Sequence, residues 1–274
     1  MKFLAFDTST DVMSIAVTDG KRVWQHTGPG GAKSSATLIP AILALLAQAQ
    51  LTLGNLDAIV LGRGPGSFTG LRTACSVAQG LALGAGVQVL PVDTLMALAE
   101  EARFTHASDW PADAPLRVTA MLDARMDEMY VQSYEFSHGT CKAVDGCKLI
   151  RPENLLLDNP LDAVSNNGNG SRTLLAGNVF DVYTDRLPSA PAHLTCAPAL
   201  PTATALLRLA PALAAAGQCV DAALALPLYV RDKVALTTQE RDQEKRAKAQ
   251  AALTSATEVS LNETSPALAN HTPE

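Results

Sequence analysis

The sequence predicts an α/β protein of two lobes, the second a shortened echo of the first. Three observations carry this. Apolar, strand-like runs alternate with helix-length stretches, a hairpin signal opens the chain, and the layout begins again after a polar, proline-bearing stretch at residues 105–115. A chain of 274 residues fits one large domain or two small lobes, and a hydrophobic content of 47% supplies a sizeable core.

Residues 2–6 read as a buried strand. Residues 13–18 and 22–27 follow as strands, with the tight-turn pair Asp19-Gly20 between them, so the chain opens as a three-stranded antiparallel meander. A helix is expected over 35–50, a strand over 56–61, a helix over 69–84, a strand over 87–91, and a helix capped by Asp93 that runs to Phe104. The second lobe begins the same way, with strands over 117–122, 128–136 and 142–149. It then runs short: a brief helix from Pro152, a glycine-rich loop over 159–171, a strand over 173–176, and an alanine-rich helix over 202–216 closed by Gly217. From Thr237 the chain is polar. Glu244 with Lys248 and Asp242 with Arg246 are favourable helical pairs, and beyond Leu253 disorder is expected. The expected domains are therefore 1–104, 105–236 and a polar, partly helical or disordered tail over 237–274.

Charge narrows the function. A net charge of −6 lacks the broad basic field that holds nucleic acid, so RNA would be met only through a partner. The five cysteines form no C-x-x-C, Cys141 and Cys147 included, which reads as reduced thiols in a cytoplasmic protein. Asp7 arrives too early for a signal peptide, and the apolar stretch over 38–47 contains Pro40 and is too short to span a bilayer.

The run Gly64-Pro65-Gly66-Ser67-Phe68-Thr69-Gly70 sits between a strand and a helix, where free N–H groups can hold an anion. It is not a P-loop, because no Gly-Lys-Ser/Thr follows. It is not G-x-G-x-x-G, because Thr69 takes the last glycine position. A tight, interface-forming turn ranks above a catalytic phosphate cradle.

Four runs occur in order: Phe6-Asp7-Thr8-Ser9-Thr10, Gly64 to Arg72, Leu122-Asp123-Ala124-Arg125, and Pro227-Leu228-Tyr229-Val230-Arg231. Over residues 1–236 this pattern resembles the bacterial TsaB (YeaZ) family. The resemblance implies the two-lobed actin/Hsp70/sugar-kinase fold and a role in forming threonylcarbamoyladenosine next to the tRNA anticodon. It implies a TsaD-like catalytic partner, a TsaE-like ATPase, and a scaffolding rather than catalytic role for this chain. Ser34-Ser35-Ala36 departs from the His-Ser-acidic run of many members.

On an actin-like frame, Asp7, Thr8 and Ser9 would form the first phosphate turn, Gly64 and Gly66 would belong to the glycine turn, Asp123 would start the second phosphate turn, and Gly177 would mark the adenosine turn. Ala124 and Arg125 stand where glycines would let the backbone approach a phosphate, and Gly177 is a single glycine where several are usual. These turns therefore read as degenerate. Asp123 and Asp127 could form an acid/base pair, but a structural role is favoured, and Arg125 between them could neutralise both. The five histidines, His26, His106, His138, His193 and His271, include no H-x-x-x-H pair, so neither a metal site nor a catalytic residue is assigned. No cofactor of its own is expected, although a nucleotide could be trapped at the subunit boundary. A self-sufficient ATPase or kinase, and a peptidase acting on its partner, are the competing functions.

The helix over 35–50 is apolar on nearly every face: Leu38, Ile42 and Leu45 line one side, and Ile39, Leu43 and Leu46 another. The helix over 69–84 adds the small residues Ala74, Cys75, Ala78, Gly80 and Ala82. With Thr69, Leu71 and Arg72 these residues form the expected partner interface, for matching helices of the TsaD-like subunit or for a second copy of the chain.

Overall fold

Two central strands buried on both faces organise the first lobe. β1 (Phe3–Asp7) and β4 (Ala58–Gly62) are buried at every position and lie side by side in parallel. Continuous apolar runs are what a strand covered on both faces requires. β2 (Val12–Thr18) and β3 (Val23–Pro29) extend the sheet antiparallel on one side, and β5 (Gln88–Val92) extends it parallel on the other. The sheet order is β3-β2-β1-β4-β5. The computed structural model describes residues 1–107, 109–111, 114–157, 172–191 and 194–231. Met1–Val230 form one unit, and everything below lies within it. The loop expected over 159–171 and the tail expected from residue 237 lie outside the described residues.

The second sheet contains β6 (Leu116–Asp123), β7 (Met129–Ser137), β8 (Thr140–Ala143), β10 (Arg172–Gly177) and β11 (Thr195–Pro198), in the order β11-β10-β6-β7-β8. β6-β7-β8 form an antiparallel meander, while β10 and β11 join in parallel beyond β6. This is the first sheet's topology strand for strand, and the repeat is the two-lobed actin/Hsp70/sugar-kinase-like fold. The single strand expected over 142–149 is instead two, β8 and β9 (Lys148–Ile150), both paired with β7. The brief helix expected from Pro152 is one 3-10 turn, Pro152–Asn154.

The helices show where the second lobe is reduced. α1 (Ser34–Ala49) follows β3, and α2 (Phe68–Ala85) joins β4 to β5. The counterpart of α2 between β10 and β11 is α4 (Val179–Val182), only 4 residues long. α3 (Thr94–His106) follows β5, and α5 (Ala203–Ala215) follows β11. These last two exchange sides. α3 packs in the core of the second sheet with Val118, Tyr134 and Leu174. α5 covers the first sheet, its Leu206 and Leu209 packing with Phe3, Val60 and Leu90. No helix among the described residues is long and apolar enough to cross a membrane.

Caps follow local chemistry. Ser67 caps α2 by accepting from the Gly70 N–H, and Thr202 caps α5 by accepting from the Ala205 N–H at 3.1 Å. Asp93 stands at the α3 N-cap but makes no capping bond. Its carboxylate takes the Arg63 Nε–H at 2.6 Å instead, because that charged donor comes within reach from the neighbouring strand's end.

Candidate functional site

β1 and β4 end together, so the turn after β1 and the glycine turn after β4 meet. Asp7 is fully buried at the end of β1. Its carboxylate accepts from the Ser9 N–H at 2.8 Å, the Ser9 hydroxyl at 2.5 Å and the Thr94 hydroxyl at 3.3 Å. Thr94 in turn accepts the Gly64 N–H at 3.1 Å. Burial pushes the Asp7 carboxyl above its usual range, against the lowering effect of the Ser9 and Thr94 bonds.

The two turns are stapled. The Thr8 hydroxyl donates to the Gly70 carbonyl at 2.8 Å, and the Ser67 N–H donates to the Ser9 carbonyl at 2.7 Å. A Cβ on Gly70 would lie 1.9 Å from the Thr8 carbonyl oxygen, and one on Gly66 would lie 2.6 Å from the Ser9 backbone. The glycines are thus spent on close approach of one turn to the other. Gly64, which precedes a cis peptide bond to Pro65, lies under the Leu228 carbonyl, and the Leu228 N–H donates to the Arg63 carbonyl at 2.7 Å.

The second lobe presents the matching turn at the end of β6. The Asp123 carboxylate accepts from the Arg125 N–H at 2.9 Å and the Tyr183 hydroxyl at 2.7 Å. Arg125 reaches Asp123 at 3.2 Å with one guanidinium nitrogen and Asp11, in the first lobe, at 2.5 Å with another. The expectation that Arg125 neutralises both Asp123 and Asp127 is therefore corrected. Asp127 points to Arg186, 2.9 Å away, and Arg125 spends its second contact across the lobes. Arg125, Met126 and Asp127 all adopt left-handed backbone, with φ of 61°, 56° and 60°. Each costs roughly 1–2 kcal/mol relative to right-handed geometry, so the packing around this turn over-determines it. Gly177, at the end of β10, lies against the Met121 carbonyl, where a Cβ would come within 1.9 Å.

The structure brings Asp7, Thr8, Ser9, Gly64 and Gly66 together, and links the Asp123 turn to them through Asp11 and Arg125. Its carboxylates are occupied by protein donors. Among the described residues no group of three or more His, Cys, Asp or Glu side chains could hold a metal ion. His26 lies on β3, His106 ends α3, and His138 sits in the β7–β8 turn; His193 and His271 are outside the described residues.

The helical face needs a larger correction. Leu38, Ile42, Leu45, Leu46, Cys75, Ala78 and Ala82 belong to the first lobe's own core, and Leu71 is buried as well. Their side chains face the sheet or the neighbouring helix, so no partner can reach them. The outward face is made by Ile39 and Leu43 of α1 and by Thr69, Arg72 and Leu83 of α2, all exposed. At its end Arg72 lies 3.5 Å over the Phe68 ring and donates to the Tyr229 hydroxyl at 3.0 Å. The Phe68 and Tyr229 rings are 5.1 Å apart. Spacing along one helix could not reveal this cluster, because Tyr229 lies far along the chain. Of the unusual Ser34-Ser35-Ala36 run, Ser34 is buried and donates to the Gly31 carbonyl at 2.7 Å, while Ser35 and Ala36 are exposed.

The family model described as TsaD, tRNA N6-adenosine threonylcarbamoyltransferase, matches residues 25–264. The chain is 36% identical over 135 residues to the tRNA threonylcarbamoyladenosine biosynthesis protein TsaB of Escherichia coli (strain K12), covering 49% of this chain and 55% of that protein. It is 37% identical over 130 residues to the protein of the same name from Haemophilus influenzae, covering 47% and 52%. The chain thus spans about half the length of the curated relatives it matches. The solved structure of YeaZ from Pseudomonas aeruginosa is 35% identical and superposes with a TM-score of 0.71, covering 84% of this chain and 99% of that one.

Proposed function

The chain belongs to the TsaB (YeaZ) family, and on that premise we propose that it is a non-catalytic scaffold and activator subunit of the complex that forms N6-threonylcarbamoyladenosine next to the tRNA anticodon. In this reading it pairs with a TsaD-like catalytic subunit, a TsaE-like ATPase joins them, and tRNA is met through the complex in the cytoplasm.

One observation supports the non-catalytic role above the others: the first phosphate turn is closed by its own protein. Asp7 has its carboxylate taken up by Ser9 and Thr94, and the glycine turn is stapled onto Thr8 and Ser9. An ATPase of this fold needs that carboxylate and those backbone groups turned toward phosphate. The second turn is held by Tyr183 and Arg125. A nucleotide, if the complex holds one, belongs to the boundary with the partner.

The partner face is the exposed side of α1 and α2, ending in the cluster of Phe68, Arg72 and Tyr229. Arginine and tyrosine are the residue types that most often dominate binding energy. A homodimer through the same face would compete with the heterodimer.

The test has two arms. Calorimetric titration of the chain alone with ATP and magnesium should give no saturable binding; micromolar binding with turnover would establish a self-sufficient ATPase instead. The double substitution Leu43→Glu with Leu83→Glu acts at sites 51% and 80% exposed. It should abolish co-purification with a TsaD-like subunit while leaving the thermal midpoint unchanged. Pairing retained by this variant would overturn the assigned face.

A further inference from the structure

β3 is the outer strand of the first sheet, and among the described residues β2 is the only strand paired with it. The two ends of this hairpin fix its bonding pattern. The Asp19 N–H donates to the Arg22 carbonyl at 3.3 Å, and the Gly30 N–H donates to the Asp11 carbonyl at 2.8 Å. In an antiparallel pair, residues bonded to the neighbouring strand alternate with residues whose N–H and C=O point away from it. Arg22 and Gly30 bond inward, so Trp24, His26 and Gly28 do the same. The N–H and C=O groups of Val23, Gln25 and Thr27 therefore face outward, together with the Pro29 carbonyl. Among the described residues no other backbone group bonds to them.

The side chains leave this edge open. Val23 is 54% exposed, and Gln25 and Thr27 are exposed beside it. On the other face Trp24 packs half-buried against the lobe's core, with Arg22 4.9 Å over its ring, and His26 is exposed. A row of open backbone donors and acceptors is a template for another strand, and soluble proteins guard such rows with charge or proline. Here the guards stand only at the ends, with Lys21 and Arg22 before the strand and Pro29 at its last position. Residues 23–27 between them contain no Lys, Arg, Asp, Glu or Pro.

This edge complements itself, which identifies its occupant. When two copies pair antiparallel about Gln25, Gln25 lies opposite Gln25, Val23 opposite Thr27, and Trp24 opposite His26. The outward N–H groups then all meet outward carbonyls, for about six backbone hydrogen bonds. β-Branched and aromatic residues make favourable cross-strand pairs. A shift toward the hairpin turn draws Lys21 and Arg22 of the two copies together. A shift the other way brings Pro29, which has no N–H, into the ladder. The guards thus select the register.

We propose that β3 is a dimerisation edge, through which two copies of this chain join their five-stranded sheets into one, antiparallel and centred on Gln25. The edge shares no residue with the helical face assigned above, so either assignment can fail without the other.

The test uses the full chain carrying Leu43→Glu and Leu83→Glu, which disable the helical face, and Cys196→Ser, which removes an exposed thiol. Sedimentation equilibrium should show a concentration-dependent monomer–dimer equilibrium. Gln25→Pro deletes an outward N–H at an edge position that tolerates proline. It should weaken the dimer at least about tenfold, with the circular dichroism unchanged. Oxidation reads the register. Gln25→Cys should give a disulfide-linked dimer, because hydrogen-bonded partners stand about 5.5 Å apart at Cα, within disulfide reach. Val23→Cys should not, because in this register its two copies lie roughly 14 Å apart along the ladder. A monomer at every concentration would overturn the inference. So would a dimer undiminished by Gln25→Pro, or cross-linking no greater for Gln25→Cys than for Val23→Cys. Should Gln25→Pro not fold, the cysteine comparison decides alone.

Discussion

At the residue scale, Asp7 shows how burial and hydrogen bonding compete at one carboxyl. Burial favours its protonated form, and the bonds from Ser9 and Thr94 oppose that. Burial raises its folded pKa above the ordinary value of 3.8. Below 3.8 both folded and unfolded chains hold the proton, and Asp7 imposes no penalty. As pH rises, the unfolded carboxyl ionises first, so stability is lost between 3.8 and the folded pKa and stays lost above it. Asp7→Asn should flatten this part of the profile. Denaturant midpoints measured from pH 4 to pH 8 should therefore shift in the variant's favour, relative to the parent, as pH increases. Because both proteins share every other titrating group, the difference isolates Asp7. A difference that does not change with pH would mean that Asp7 is ionised throughout, as a carboxylate kept for an external cation would be.

At the element scale, α1 separates what composition can say from what only packing can. Its apolar character on two sides was legible, and it led to a single patch that mixed core with surface. In the structure Leu38, Ile42, Leu45 and Leu46 form one buried stripe, while Ile39 and Leu43 point outward. Both stripes have helical spacing, and nothing along α1 says which one the sheet will take. Ile42→Glu should accordingly unfold the first lobe, since a charge buried without a partner costs several kcal/mol. A chemical-denaturation curve should show that loss, whereas Leu43→Glu alone should move stability by no more than about 0.5 kcal/mol. Other elements were legible to different degrees for identifiable reasons. β1 and β4 were readable because strands buried on both faces are uninterrupted apolar runs. Strands β8 and β9 read as one along the sequence, although Asp145-Gly146 in the break over residues 144–147 is the same turn pair as Asp19-Gly20. The stapling of the glycine turn onto the turn after β1 was not visible, because the Thr8–Gly70 and Ser67–Ser9 bonds join residues far apart along the sequence.

At the scale of the whole molecule, the exchange of α3 and α5 makes the two lobes interdependent. Either lobe looks self-contained in sequence, because each is a meander followed by parallel strands and helices. Yet the face of the first sheet that carries Phe3, Ala5, Val60 and Leu90 is covered by α5, which the chain reaches only after completing the second sheet. Leu206, Leu207 and Leu209 are buried there. At about 2 kcal/mol for each leucine buried, α5 contributes roughly 6 kcal/mol, comparable to the whole stability of an ordinary domain. The arginine clamp adds to this coupling: Arg208 of α5 holds Glu100 and Glu101 of α3. A fragment ending at residue 107 keeps every strand of the first sheet but lacks α5. It should be insoluble or lack a cooperative unfolding transition when expressed alone. Co-expression with a fragment covering residues 108–231 should restore a soluble, cooperatively unfolding complex. Cooperative unfolding of the shorter fragment by itself would show that the exchanged helix is dispensable, and that the two lobes are joined only by the chain between them.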